Sequence, residues 1–363
     1  MPSTRSARAI VIAATFLATS SAGAAVFDDG GTTIINSTVN DFIEVSDGPG
    51  GLPTTVIFEP GANITQADSV GDSVFATGNS SVIVNGGQFV EDVTGLDDSS
   101  ITVNGGTLGD DLLGFTNATL VMTGGSVADD AEIYDTGSFV VSGGVVGEDL
   151  EAFDDSSLTF SGGTVNNFLA ALDNSTVAMT GGNVSDGVAV LDSADFTISG
   201  GTVANNVRAE DVSTVVMTDG DIGNDLEAIN GAAITVTGGS IGSDIEASQL
   251  ATIDIFGGEL GTTGVFDNGI ASGGDAVITL YGPEFQIDGS PAAFGNISQI
   301  FGTLSGTLSD GSTFDMPFVR VNEGFFGGFR GEIVLVQQAI PEPVASLGGL
   351  IGLGLLVARR QRC

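Results

Sequence analysis

Between residues 80 and 269 the apolar positions fall into columns that return every 19 residues. The first column pair lies two residues apart: Val82 and Val84, Ile101 and Val103, Leu120 and Met122, Phe139 and Val141, Leu158 and Phe160, Ile234 and Val236. A period of two puts both members on one face of a short strand. Thr102, Thr159, Thr197 and Thr235 stand between such pairs, as suits β-branched, half-polar side chains on an outer face. A glycine pair follows at once in every copy, from Gly86-Gly87 to Gly257-Gly258, with one altered to Asp219-Gly220. Only glycine reaches positive φ without steric cost, so the recurring pair predicts a corner. Beyond it Phe89, Leu108, Val127, Val146, Val165, Val184, Val203, Ile222, Ile241 and Leu260 form a third apolar column. Val93, Leu112, Leu150, Leu169, Val188, Val207, Leu226 and Ile245 form a fourth.

Ten copies without an insertion mean that each unit stacks on the last, since a frameshift would break every column of contacts. Three short sides joined by corners predict an all-β fold, a right-handed parallel β-helix (β-solenoid) of 19-residue coils with N- and C-terminal caps. Each coil adds a rung of about 4.8 Å, so ten coils make a rod roughly 48 Å long. The hand follows from the strong preference of parallel crossovers. Tandem antiparallel hairpins would not return the same residue type to one position in every copy, and the sixfold rhythm of a left-handed hexapeptide helix is absent.

Residues 26–79 predict an entry cap with strands at 33–35, 42–45 and 55–58. The repeat is already felt there, since Ile64 stands 19 residues before Ile83 and Val70 stands 19 before Phe89. Residues 270–340 predict a last irregular coil and a C-terminal β cap, with strands at 304–308, 314–321 and 333–336 and a turn at Asp310-Gly311. The motif at 278–282 resembles that at 253–257 but comes 25 residues later, which places an extra loop within 261–275.

Composition narrows the chemistry. The chain has no histidine and a net charge of −38, its eight basic residues are all arginine, and only Arg208, Arg320 and Arg330 lie between the two terminal segments. Nucleic acid is excluded as a partner, because nothing could neutralise phosphates. The single cysteine, Cys363, permits no intrachain disulfide, and histidine-based metal sites and triads are excluded.

Both ends carry targeting signals. Arg5 and Arg8, an apolar run at 9–18 and small polar residues at 19–24 predict a signal peptide over 1–25, cleaved after Ala24 or Ala25, and export through the Sec pathway. At the other end Pro341-Glu342-Pro343 precedes a glycine-rich apolar run at 344–358 and then Arg359-Arg360-Gln361-Arg362. That order describes a helix held at a membrane with its positive end cytoplasmic. Residues 341–363 resemble the PEP-CTERM sorting signal of Gram-negative and related bacteria. The resemblance implies transient membrane insertion, cleavage by an exosortase-type processing enzyme near Pro341, Glu342 and Pro343, and delivery to the cell envelope or extracellular polymer. It covers only these last residues and leaves the role of the rod open.

Within the rod, two acidic columns stand out. Asp97, Asp135, Asp154, Asp173, Asp192 and Asp211, then Asn230, share one column, interrupted by Thr116. Asp92, Asp111, Asp130, Asp149, Asp225 and Asp244 form a second, flanked by Glu91, Asp110, Asp129 and Glu148. Carboxylates at rung spacing repel by about 1 kcal/mol in water and roughly four times that at a dielectric of 20. Calcium on Asp154, Asp173, Asp192 and Asp211 would relieve this, and so would solvation of corner residues whose carboxylates accept backbone N–H groups. Arg208 stands in a column with Glu151, Glu227 and Glu246, the combination of a polysaccharide lyase base with acidic neighbours or of a simple rung ion pair. Phe325-Phe326-Gly327-Gly328-Phe329 reads as cap core or as a carbohydrate platform. These residues predict a non-enzymatic, envelope-associated structural or adhesive rod in contact with extracellular polysaccharide, with a lyase-like β-helix enzyme as the alternative.

Overall fold

The computed structural model describes residues 24–68, 71–265, 268–321 and 331–340. Residues 1–23 of the expected signal peptide, Val70, the 325–329 motif and the tail with Pro341, Glu342, Pro343, Arg359 and Arg360 lie outside them. Among the described residues there is no helix. Short parallel strands stack about 19 residues apart into a β-solenoid of about 12 turns.

One coil shows how the sequence builds the others. Leu150–Ala152 forms side A, Ser157–Phe160 side B and Thr164–Val165 side C. Each strand pairs in parallel with its equivalent in the next coil: Leu150 opposite Leu169, Leu158 opposite Val177, Val165 opposite Val184. Stacking therefore sets like against like, and the apolar columns become continuous ribs of the core. Val146, Val165 and Val184 are each no more than 1% exposed. Burying a valine of this kind contributes about 1.5–3 kcal/mol, so each rib is a major source of stability.

Two corners require unusual backbone. The second glycine of each pair lies at positive φ, as in Gly144 (94°), Gly163 (102°) and Gly182 (86°). Space is short as well, since a Cβ on Gly163 would come 2.8 Å from the Gly144 carbonyl oxygen. The bend is nonetheless gentle enough for hydrogen bonding to continue across it. Sides B and C belong to one sheet and side A to another. In Thr176–Val184, Asp195–Val203 and Thr214–Ile222 the two sides are a single nine-residue strand whose register shifts at the glycines. The corner between sides A and B is formed by the first acidic column, where Asp97, Asp135, Asp154, Asp173, Asp192 and Asp211 all have φ between 55° and 63°.

The solenoid starts before residue 80. Ala25–Phe27, Ile43–Val45 and Asp72–Ala76 already stack in parallel on side A, and Thr32–Ile35, Thr55–Phe58 and Ser81–Val84 do so on side B. The segment expected as a cap is thus made of coils. Their lengths vary, because Thr32 pairs with Thr55 and Thr55 with Ser81 while the intervening loops take up the difference. That variation hides the period in the sequence.

At the C-terminal end Ile245 pairs with Ile270 and Thr252 with Val277, which accommodates the extra loop expected before residue 275. Side A then gains the end of Thr313–Val321, and side B gains Glu332–Gln337, both in parallel. Antiparallel pairing of Glu284–Ile287 with Phe301–Thr307, and of the latter with Thr313–Val321, closes the end. Paired strands and a covered edge are what a terminal coil needs to avoid lateral association. Two polar contacts fasten this cap. The Gly258 N–H donates to Asp310 Oδ2 at 2.8 Å, and Arg320 Nε donates to the Gly331 carbonyl at 2.7 Å.

Candidate functional site

Polar chemistry concentrates on side A and its two corners. At the corner between sides A and B, the left-handed conformation that Asp and Asn tolerate best explains the first acidic column. From Asp135 to Asp192 the carboxylates accept the N–H of the same position one coil earlier: Asp135 Oδ2 from Thr116 (2.8 Å), Asp154 Oδ2 from Asp135 (3.1 Å), Asp173 Oδ2 from Asp154 (3.3 Å) and Asp192 Oδ2 from Asp173 (3.4 Å). Asn230 continues the column by donating its side-chain amide to Asp211 Oδ1 at 3.0 Å. Asp154, Asp173, Asp192 and Asp211, the residues expected to hold calcium, lie exposed along this corner.

Carboxylates gather elsewhere. Among the described residues, acidic oxygens lie within 4.8 Å of one another in threes at Asp92, Asp110 and Asp111, at Asp111, Asp129 and Asp130, and at Asp130, Glu132 and Glu151. All belong to the corner between sides C and A or to side A itself. There each Oδ1 accepts the N–H of the next coil: Asp92 from Asp111 (3.1 Å), Asp111 from Asp130 (2.9 Å), Asp130 from Asp149 (2.9 Å) and Asp149 from Phe168 (2.9 Å). The bonds run opposite to those of the first column, and Asp92, Asp111 and Asp130 are half-buried where the first column is exposed. Burial pushes Asp92, Asp111 and Asp130 up to about 7, against the lowering effect of the backbone bonds.

The outer face of side A carries a cluster that the sequence reading did not single out. Glu132 and Glu151 stand opposite each other in register. The Tyr134 hydroxyl donates to Glu132 Oε2 at 2.9 Å. The Tyr134 ring stacks between Phe115 (4.8 Å between centroids) and Phe153 (4.6 Å), in planes tilted by 11° and 5°. The middle ring thus meets the glutamate pair through Glu132. Burial raises both, and the charge of Glu132 beside it adds to the effect at Glu151, which is pushed up to about 9. The signal was present as a 19-residue spacing of Phe115, Tyr134 and Phe153 and of Glu132 and Glu151. Since the rings turn their faces onto one another, they offer no stacking platform to a sugar.

Further along side A, Arg208 Nε meets Glu210 Oε1 at 2.6 Å and an NH group meets Glu227 Oε2 at 3.6 Å. Glu227 also accepts from the Asn206 amide at 2.7 Å. The rung pair expected between Arg208 and Glu227 is present, and Glu210 joins it.

Beyond Glu227 the face dips into a hollow of about 170 Å³. Glu227, Glu246, Ser248 and Asn268 line it, with Ala271 and Gly273 beyond. It opens where the extra loop enters the last coils, and Asn268 on that loop donates its amide to Glu246 at 2.8 Å.

The chain matches no known family, no curated protein and no solved structure. Among the described residues no helix is long and apolar enough to cross a membrane.

Proposed function

We propose that this protein is an exported, envelope-associated rod with a structural or adhesive role, in contact with extracellular polysaccharide, and that it is not an enzyme. The observation that supports this reading most is the regularity of the solenoid. From Ser81 to Leu260 each strand pairs with its equivalent 19 residues on, and no loop is inserted within that length. Catalytic sites on such scaffolds are made by loops that interrupt the repeat. Arg208, the best candidate for lyase chemistry, is committed to Glu210 and Glu227. Export rests on the signal segment at 1–25, and delivery to the envelope on the tail at 341–363, processed by an exosortase-type enzyme.

Mass spectrometry of the protein recovered from culture tests processing at both ends. The mature chain begins near Ala25 or Val26 and lacks Arg359 to Cys363; their recovery on the extracellular species refutes the sorting assignment. Co-sedimentation with exopolysaccharide of the producing cells tests adhesion. Incubation with acidic polysaccharides tests the enzymatic alternative, because a lyase releases an unsaturated product absorbing in the ultraviolet and the rod releases none.

A further inference from the structure

We infer that the hollow beside the extra loop is a binding subsite for one neutral sugar ring of a polysaccharide, held by Glu227, Glu246 and Asn268. The inference rests on the adhesive reading above and gives it a place and a ligand chemistry.

Three features support it. The first is shape. Along the outer column of side A, Arg208, Glu227 and Glu246 are succeeded by Ala271, so a methyl group follows three long side chains and the floor drops away. A volume of about 170 Å³ equals that of about six waters, close to one pyranose ring.

The second is hydrogen-bonding capacity. Glu227 accepts from Asn206 and lies near Arg208, and Glu246 accepts from Asn268. A carboxylate has about four lone-pair sites, so both retain acceptors for hydroxyl groups. Standing opposite each other in register, they sit one rung apart, a span of about 4.8 Å that suits hydroxyls on one ring.

The third is charge. Arg208, the cation of this column, is already paired with Glu210 and Glu227, and Arg320, opposite the lining residue Ser272, donates to the Gly331 and Ile297 carbonyls, so a carboxylate or phosphate ligand meets Glu246 with both guanidinium groups engaged. A ligand that donates hydroxyls and carries no charge fits all three conditions. With about a dozen heavy atoms in contact, one ring binds in the millimolar range, and a polymer engaging several rods gains by avidity.

Saturation-transfer NMR on the full chain tests this, with methyl glucoside, methyl galactoside and methyl mannoside as probes, galacturonate as the charged comparator, and EDTA present throughout. At least one methyl hexoside shows transfer at millimolar concentration, and galacturonate shows none. Ala271→Leu fills the floor and weakens binding by tenfold or more. Glu246→Gln, a change on the outer face that leaves the core untouched, weakens the hexoside several-fold and admits galacturonate. Circular dichroism establishes that each variant is folded, and Glu246→Gln carries the test if Ala271→Leu is not. Absence of transfer from all three hexosides, or transfer unchanged in Glu246→Gln, overturns the inference. Polymer co-sedimentation without hexoside transfer overturns the subsite and leaves the adhesive reading standing. Hexoside transfer without polymer co-sedimentation upholds the subsite and overturns that reading.

Discussion

Replacing Glu151 by glutamine should stabilise the rod at neutral pH and flatten its pH dependence. Glu151 lies against Glu132, Asp130, Asp149 and Tyr134, and its carboxyl is raised from 4.5 to about 9, chiefly by burial and then by the charge of Glu132. A folded-state value above the unfolded one means that the folded chain keeps a proton the unfolded chain has released. The stabilisation is therefore complete below about 4.5 and is lost progressively as pH rises towards about 9. At pH 7 the loss covers about 2.5 pH units at 1.36 kcal/mol each, or roughly 3 kcal/mol. Glutamine has no proton to lose, and its amide can donate to Glu132 as the protonated Glu151 does. Glu151→Gln should accordingly match the wild type near pH 4 and exceed it by roughly 3 kcal/mol at pH 7. Urea unfolding followed by circular dichroism across this range measures the difference. Asp92 and Asp111, also raised but not among the charges that act on Glu151, tilt both proteins in the same direction and cancel in the comparison. Parallel stability curves for the two proteins from pH 4 to pH 9 would refute the raised glutamate pair.

Three further outcomes test the architecture. Gly163→Val forces a β-branched residue to a φ of 102° and sets its Cβ 2.8 Å from the Gly144 carbonyl oxygen, so it should cost several kcal/mol or prevent folding, read by thermal denaturation. Deleting residues 156–174, one whole coil, should leave a folded rod one rung shorter by small-angle scattering, whereas a ten-residue deletion should unfold it; the reverse pattern would show that the coil is not the unit. Asp173→Asn with Asp192→Asn retains left-handed corners and backbone acceptors while removing two neighbouring charges, so it should stabilise the rod at low ionic strength by about 0.5 kcal/mol per substitution. That gain should vanish in sodium chloride, and a larger effect of calcium at matched ionic strength, lost in the double variant, would instead place a cation on this column.

The sequence alone determined the unit and its direction of growth. In a parallel stack each residue faces its own equivalent one rung away, so every core position must be apolar in every copy, and the columns from Phe89 to Leu260 record that demand openly. The glycine pairs record the positive φ at Gly163 and its counterparts for the same reason. Residues 26–79 hid their coils because strand pairing fixes only the paired residues and leaves loop length free. The two acidic columns look alike as text, and only the tertiary structure separated them. Asp154 and Asp173 lie exposed at their corner, accepting from the coil before. Asp111 and Asp130 are half-buried at the other corner, accepting from the coil after. The raised Glu132–Glu151 pair likewise needed the structure, since ionisation depends on what lies around a carboxyl in space. The hollow below Glu246 depended on Ala271 entering the column from a coil of different length, a coincidence that no fixed period encodes.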